Sequence, residues 1–325
     1  GANEDVQRTS PGTYTSYAKW ESIHSTTIDA GVLFAGGGYF FLNDKGQLPG
    51  RVRKDCESLL ASGVKYAFLG VGINQVNGKE GEILRGEIAA SDISLVSTLL
   101  NGAAFVSVRD QQTFDKLQHL TDSSIFLYGD PALFLPHPVE PTLNWPATKR
   151  ARIGINVPFH GPAANERVKR DFQQYIDFFR RLHRAMDADF YFMVHFDSEV
   201  LIAYLLRDAG LPITIVNGDV ATLQATYAGL DMHVGGMLHS CILACSVGTP
   251  CVGIAYDVKH AGFFGVMGIP ELSIPATPFD VEAMVLTCIQ AFKDRLAIRN
   301  HLDTRREMLR IEGDRFLQTQ LSKLM

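Results

Sequence analysis

Gly235-Gly236-Met237-Leu238-His239-Ser240, running on through Gly248-Thr249-Pro250 into Cys251–Ala255 and then Tyr256-Asp257-Val258-Lys259, is the stretch that decides the fold. It reads as a strand end, a glycine turn, a helix of small residues, a second apolar strand, and charged residues just past that strand's end. In an open α/β sheet, ligands sit beyond the carboxyl ends of strands, where helix N-termini present free N–H groups to anions. His239 occupies that place, and Lys259 follows twenty residues later. The unit therefore offers a titratable group and a cation to an anionic ligand.

Working outward, the same alternation fills the second half of the chain. Short apolar runs at 152–157, 189–195, 213–216 and 232–234 are separated by helical stretches at 167–186, 198–209 and 220–228. The first half repeats it, with strands expected at 31–35, 64–69, 103–108 and 124–127 and helices at 50–62, 91–101 and 111–120. Short buried strands alternating with helices predict parallel sheets covered by helices on both faces. Between the halves, residues 135–150 hold Pro136, Pro138, Pro141 and Pro146, which break the pattern. The expected organisation is α/β: an N-terminal Rossmann-like domain at 1–140, a Pro-rich linker at 141–150, and a C-terminal Rossmann-like domain at 151–325 that ends in helices. The two domains are expected to face each other across a cleft. Residues 1–30 are polar and rich in Ser and Thr, and read as loop with room for one helix.

The totals exclude several classes. A chain of 325 residues exceeds one typical core and points to two domains. A net charge of −5 and the lack of a dense Lys/Arg run leave no electrostatic footprint for nucleic acid. Five cysteines in a chain of this size suggest reduced thiols and a cytoplasmic protein. No apolar run reaches the roughly 18–20 residues that span a bilayer.

The candidate functional residues lie at strand ends. Gly36, Gly37 and Gly38 follow the first strand and allow close backbone approach of a ligand, or simply a tight turn. Their spacing is not that of a dinucleotide fingerprint. Arg109 follows a strand directly, where a guanidinium clamps a carboxylate or phosphate, or pairs with Asp110 or Asp130. Asn156 and His160 flank the end of the second domain's first strand; His195 and Asp197 end the next, as a general base with an orienting carboxylate or as structural residues. His239 stands at a helix N-terminus, which keeps an imidazole neutral beside an anion pocket. Cys241, Cys245 and Cys251 do not match a zinc spacing and read as helix-packing residues.

Taken together, Gly36-Gly37-Gly38, Ser107-Val108-Arg109-Asp110 with Leu117, Asp130-Pro131-Ala132, Leu238-His239, Gly248-Thr249-Pro250 and Tyr256-Asp257-Val258-Lys259 with Phe263 resemble the polysaccharide pyruvyl transferase family. The pieces fall in the family's order over about residues 31–271. The resemblance implies a GT-B-like fold and transfer of a pyruvyl group from phosphoenolpyruvate onto sugar hydroxyls as a ketal. The acceptor would be a bacterial surface polysaccharide (an exopolysaccharide) or its lipid-linked precursor. It implies catalytic roles for His239 and Arg109, and substrate contacts from Lys259, Gly36, Gly37, Gly38, Asn156, His160, His195, Gly236, Met237, Leu238 and Tyr256. No metal, nucleotide or other cofactor is required beyond phosphoenolpyruvate as donor.

Two departures stand out. Family members carry an arginine two positions before this histidine, where this chain has Met237. Losing one buried anion contact costs about 2–5 kcal/mol if nothing substitutes for it. The family also begins with a strand and an Asn-x-Gly-Asp loop, of which Gly1-Ala2-Asn3-Glu4-Asp5 is a remnant at best, so the fold's first strand is expected to precede this chain. A GT-B glycosyltransferase using a nucleotide sugar, with Asp257 or Glu271 on the ribose, and a non-catalytic family member stay open as alternatives. Arg295, Arg299, Arg305, Arg306 and Arg310 form either a solvated helix face or a contact to the inner face of an anionic membrane. A homodimer also stays open.

Overall fold

A computed structural model describes residues 31–75, 86–136, 145, 150–159 and 162–324. Twelve strands appear among them: β1 (Val32–Ala35), β2 (Phe40–Leu42), β3 (Tyr66–Val71), β4 (Ile73–Gln75), β5 (Val106–Val108), β6 (Ile125–Leu127), β7 (Ala151–Asn156), β8 (Ala188–Met193), β9 (Ile213–Val216), β10 (Met232–Gly235), β11 (Cys251–Ala255) and β12 (Ser273–Pro275). The helices are α1 (Gly50–Ser62), α2 (Ala90–Gly102), α3 (Gln111–Leu117), α4 (Pro162–Met186), α5 (Glu199–Asp208), α6 (Val220–Ala228), α7 (Leu238–Ser246), α8 (Val258–Val266), α9 (Val281–Lys293) and α10 (Arg295–Leu324).

The strands form two main parallel sheets. One is four-stranded in the order β1-β3-β5-β6; the other is six-stranded in the order β12-β11-β10-β7-β8-β9. Every residue of β3, β10 and β11 is buried, as expected of strands covered on both faces. A small parallel pair, β2 with β4, sits beside the first sheet; its three-residue strands are too short to show a period. The third observed strand of the first half starts two residues later than its hydrophobic run, at Tyr66. Helix α4 begins at Pro162 rather than at 167, because proline is well tolerated in a first helical turn.

Aspartates start the helices on the cleft side. Asp110 accepts from the Thr113 N–H (2.7 Å) at the head of α3, Asp130 from Ala132 (3.0 Å) at a short 3-10 turn, and Asp257 from Lys259 (3.2 Å) at the head of α8. Each satisfies an N–H that the helix itself leaves open. The second sheet carries the larger core, and Leu133 from the 3-10 turn joins it, so the two halves share packing there.

The last helix returns to the first sheet. Phe316 of α10 stacks on Phe126 with ring centroids 4.4 Å apart and meets Phe105 edge-on at 5.5 Å. Its arginines face the protein as much as solvent. Arg305 donates to the Val266 carbonyl (2.7 Å) at the end of α8, and Arg306 to the Ser246 carbonyl (2.6 Å) at the end of α7. Cations on helix C-terminal carbonyls also oppose the helix dipole. This corrects the expectation of a solvated or membrane-facing stripe for these two and for Arg299, which caps the Leu230 carbonyl at 3.2 Å. Among the described residues no helix is long and apolar enough to cross a membrane. His160 and most of the expected linker lie outside the described residues; Trp145 of that segment packs edge-on against Tyr191 at 4.9 Å.

Candidate active site

Arg109 leaves the end of β5 at the cleft and is almost fully buried. Its Nη2 donates to Asn74 Oδ1 (2.7 Å), its Nε to Asp110 Oδ2 (3.4 Å), and its Nη1 lies 3.9 Å from Asp130 Oδ2. Gly72 lets the guanidinium lie on the backbone, since a Cβ there would overlap Nε. Of the two sequence readings of Arg109, the structure shows the pairing with Asp110 and Asp130, made at the end of β5. The glycine turn adjoins this cage. Gly36 and Gly37 have φ of 67° and 73°, and the space beside Gly37 is open to 4 Å. Gly38 instead packs on Asn74, where any side chain would collide with that amide, so it shapes the cage.

On the opposite wall, β10 ends at Gly235 and Met237 caps α7. Asn156, at the end of β7, fixes this turn. Its Oδ1 accepts from the Met237 N–H (2.9 Å), and its Nδ2 donates to the Met193 carbonyl (2.9 Å) and to Glu199 Oε2 (3.0 Å). With no exposed surface and its amide fully engaged, Asn156 positions the loop and does not reach a ligand. Two other expected contacts are corrected in the same way. Gly236 packs on Pro158, and the Leu238 side chain turns into the core. Leu238 still contributes through its backbone, because the first N–H groups of α7 have no acceptor within the helix.

His239 follows in the first turn of α7, with its ring open to the cleft. The protein around it desolvates the imidazole and pulls its pKa below the ordinary value; Arg109 and Lys259 act in the same direction, and Asp130 opposes them. The charges of both halves therefore bear on this one ring. Lys259 Nζ lies 3.7 Å from Asp257 Oδ2 and 5.0 Å from the centre of the Tyr256 ring. Burial works against its charge, but Tyr256 and Asp257 outweigh this and hold the ammonium above its usual range. The Tyr256 hydroxyl donates to Met237 Sδ at 3.9 Å. A small pocket between α3 and α8 has Asp110, Thr113, Val258 and Lys259 in its walls.

His195 is half-buried, and its partner is not the one expected. Its Nε2 lies 2.9 Å from the Tyr227 hydroxyl, while Asp197 is exposed. Burial first, and His239 second, push its pKa down to about 3. Glu199 ties this corner together, accepting from the N–H groups of His195 (2.8 Å) and Phe196 (3.3 Å). Burial pushes its carboxyl up to about 7 despite these donors. The sequence reading missed Asn74, Tyr227, Glu199 and Arg167. Glu199 was within reach of it, as an acidic residue in a helix's first turn four residues past a strand-end histidine. The cysteines Cys241, Cys245 and Cys251 are buried and unpaired in the core beneath α7.

A model of the polysaccharide pyruvyl transferase family matches residues 3–258. The chain belongs to that family. No curated protein matches it. Among solved structures it is similar to the α,α-trehalose 6-phosphate synthase of Burkholderia multivorans, at 10% identity and a TM-score of 0.51 over 94% of this chain and 74% of that one. It is likewise similar to a UDP-forming α,α-trehalose-phosphate synthase of Burkholderia xenovorans, at 11% identity and a TM-score of 0.51 over 95% and 76%. At such identity the likeness concerns fold alone, and that fold is the GT-B-like pair of parallel-sheet units. In this member of the pyruvyl transferase family, the cleft-facing strand ends of both units converge on His239.

Proposed function

We propose that this chain transfers the pyruvyl group of phosphoenolpyruvate onto two hydroxyls of a saccharide acceptor, forming a ketal and releasing phosphate. One observation carries the reading: Arg109 from one sheet and Lys259 from the other act on a single cleft-open histidine at a helix N-terminus. The donor is an enol ester with a phosphate and a carboxylate, so cations and helix N–H groups suit it. In the reaction the vinyl CH2 takes a proton and becomes CH3, leaving positive charge on the adjacent carbon. That carbon forms bonds to two sugar oxygens, its bond to the phosphate oxygen breaks, and of the two hydroxyl protons one balances the methyl and one leaves with phosphate. His239, held neutral at pH 7 by its depressed pKa, is suited to accept a hydroxyl proton and pass it on. Arg109 and Lys259 stabilise the negative charge that gathers on the departing phosphate.

The glycosyltransferase alternative asks for a carboxylate free to hold a ribose. Asp257 is engaged by the Lys259 N–H and ammonium, which leaves Glu271, exposed just before β12, as the carboxylate that reading would need. Thermal shift with phosphoenolpyruvate against nucleotide sugars tests the proposal, followed by phosphate release with a saccharide acceptor. A shift with phosphoenolpyruvate that Arg109→Ala and Lys259→Ala abolish is expected. No shift at millimolar phosphoenolpyruvate would sink the proposal, because a ligand that binds the folded state must stabilise it.

A further inference from the structure

Among the described charged groups near the cleft, Arg167 differs in having no hydrogen-bond or ion-pair partner. It sits in the second turn of α4, and only 6% of its surface is exposed. Its Nε and Nη1 are buried without a hydrogen-bond partner. An obvious partner lies one turn further on, Asp171, but that carboxylate is bound by Arg170 through Nε and Nη2, both at 2.7 Å. The Arg167 guanidinium rests instead over the Tyr256 ring, 4.7 Å from its centre. Tyr256 is the ring that Lys259 also approaches, and its hydroxyl meets Met237 Sδ. The neighbouring carboxylate, Asp257, is committed to Lys259 and to the head of α8.

A guanidinium presents five N–H groups in a rigid fork and is not neutralised in proteins. Burying one with donors unsatisfied is unfavourable, and an aromatic face only partly compensates. Such a group persists where an anion completes it. Met237 brings no charge to the turn before His239, and Arg109 is already fixed by three partners. Among the described residues, Arg167 is therefore the cation of this cleft with no hydrogen-bond or ion-pair partner.

We propose that Arg167 is a donor-binding residue, whose free N–H groups take an oxyanion of phosphoenolpyruvate at the rim formed by Tyr256 and Met237. This rests on the pyruvyl transfer reading above and adds to it a residue on an element that reading does not use. The test compares the wild type with Arg167→Met and Arg167→Lys, by calorimetric titration with phosphoenolpyruvate, inorganic phosphate and a nucleotide sugar, and by melting without ligand. Arg167→Met is expected to melt no lower than the wild type, since an unpaired buried charge is gone, and to bind phosphoenolpyruvate at least tenfold more weakly. Arg167→Lys, with charge but no fork, is expected to fall between them and keeps the comparison available if the methionine variant fails to fold. Binding of phosphoenolpyruvate within twofold of the wild type in the variants overturns the assignment while leaving pyruvyl transfer standing. Wild type that binds only the nucleotide sugar, with that binding weakened in Arg167→Met, overturns pyruvyl transfer and keeps Arg167 as an anion residue. Wild type that binds none of the three overturns both.

Discussion

The two walls of the cleft hold their cations in opposite ways. On the first wall Arg109 is caged by Asn74, Asp110 and Asp130, with Gly72 flat beneath it. On the second wall Lys259 and Arg167 lean on one tyrosine ring, and among the described residues only Lys259 of the two has a carboxylate within ion-pair distance. The caged cation is preorganised, which is what charge stabilisation in a transition state requires. The cations on the ring are free to gain partners when a ligand arrives. The support below differs too: the second wall stands on a buried polar layer of Asn156, Glu199, Tyr227, His233, Ser240 and His260, while beneath the first wall the buried hydroxyls of Ser107 and Thr113 accept from the Gly70 and Ile73 N–H groups.

Arg109→Ala attacks the caged side. It is expected to lower kcat/KM for phosphoenolpyruvate by about 10³ and, by leaving Asp110 and Asp130 buried and unpaired, to cost about 3–5 kcal/mol of stability. Steady-state kinetics and denaturant melts check the two parts. His239→Gln separates chemistry from structure on the other wall. Activity should fall about 10²–10⁴-fold with stability within about 0.5 kcal/mol of wild type, because the ring is open to the cleft; a stability loss like that of Arg109→Ala would erase the distinction drawn here.

Asn156→Ala removes the support of the second wall. The Met237 N–H and the Met193 carbonyl each lose a partner and Glu199 loses a donor, so urea unfolding should show a loss of about 2–4 kcal/mol. The polar layer also predicts an asymmetric response to acid. His195, His233 and His260 are held down to about 3, chiefly by burial, so below the ordinary histidine value near 6.5 the unfolded chain takes up protons that the folded chain refuses. Stability is thus lost as pH falls from 6.5 toward 3, at about 1.4 kcal/mol per pH unit for each histidine. Glu199 acts against this: its folded carboxyl is raised to about 7, so folding favours its protonated form between the usual glutamate range and pH 7. Glu199→Gln should therefore steepen the acid loss seen in melts across pH 4–7; an unchanged slope would remove Glu199 from the balance. The smallest effect is expected from Tyr256→Phe. It keeps the ring under both cations and deletes the hydroxyl's contacts to Met237 Sδ and to Lys259, which retains Asp257, so donor KM should move less than about threefold.

Much of this scaffold was legible before any coordinates. Fully buried parallel strands are continuous apolar runs, and β3 and β11 announce themselves that way. The aspartates before α3 and α8 are ordinary N-cap signals. The site was legible as a set of strand-end residues, since an open parallel sheet puts functional groups there. What stayed hidden was the allocation of partners. Nothing in the order Arg167, Arg170, Asp171 says which arginine takes the carboxylate. Nothing in a strand-end asparagine says whether it faces a ligand or holds a turn, as Asn156 does.

From Gly235 to Lys259, the order of strand, glycine turn, small-residue helix and strand determined a parallel βαβ unit with His239 at its helix head, because local period and turn chemistry are short-range. Only the tertiary structure decided which charges meet there. It brought Arg109 and Asp130 across from the other sheet, closed Asn156 onto the Met237 N–H, and left Arg167 over Tyr256 with no ion pair among the described residues. Pairing of charges depends on distance and burial between segments far apart in the chain, and those distances exist only once both sheets have packed.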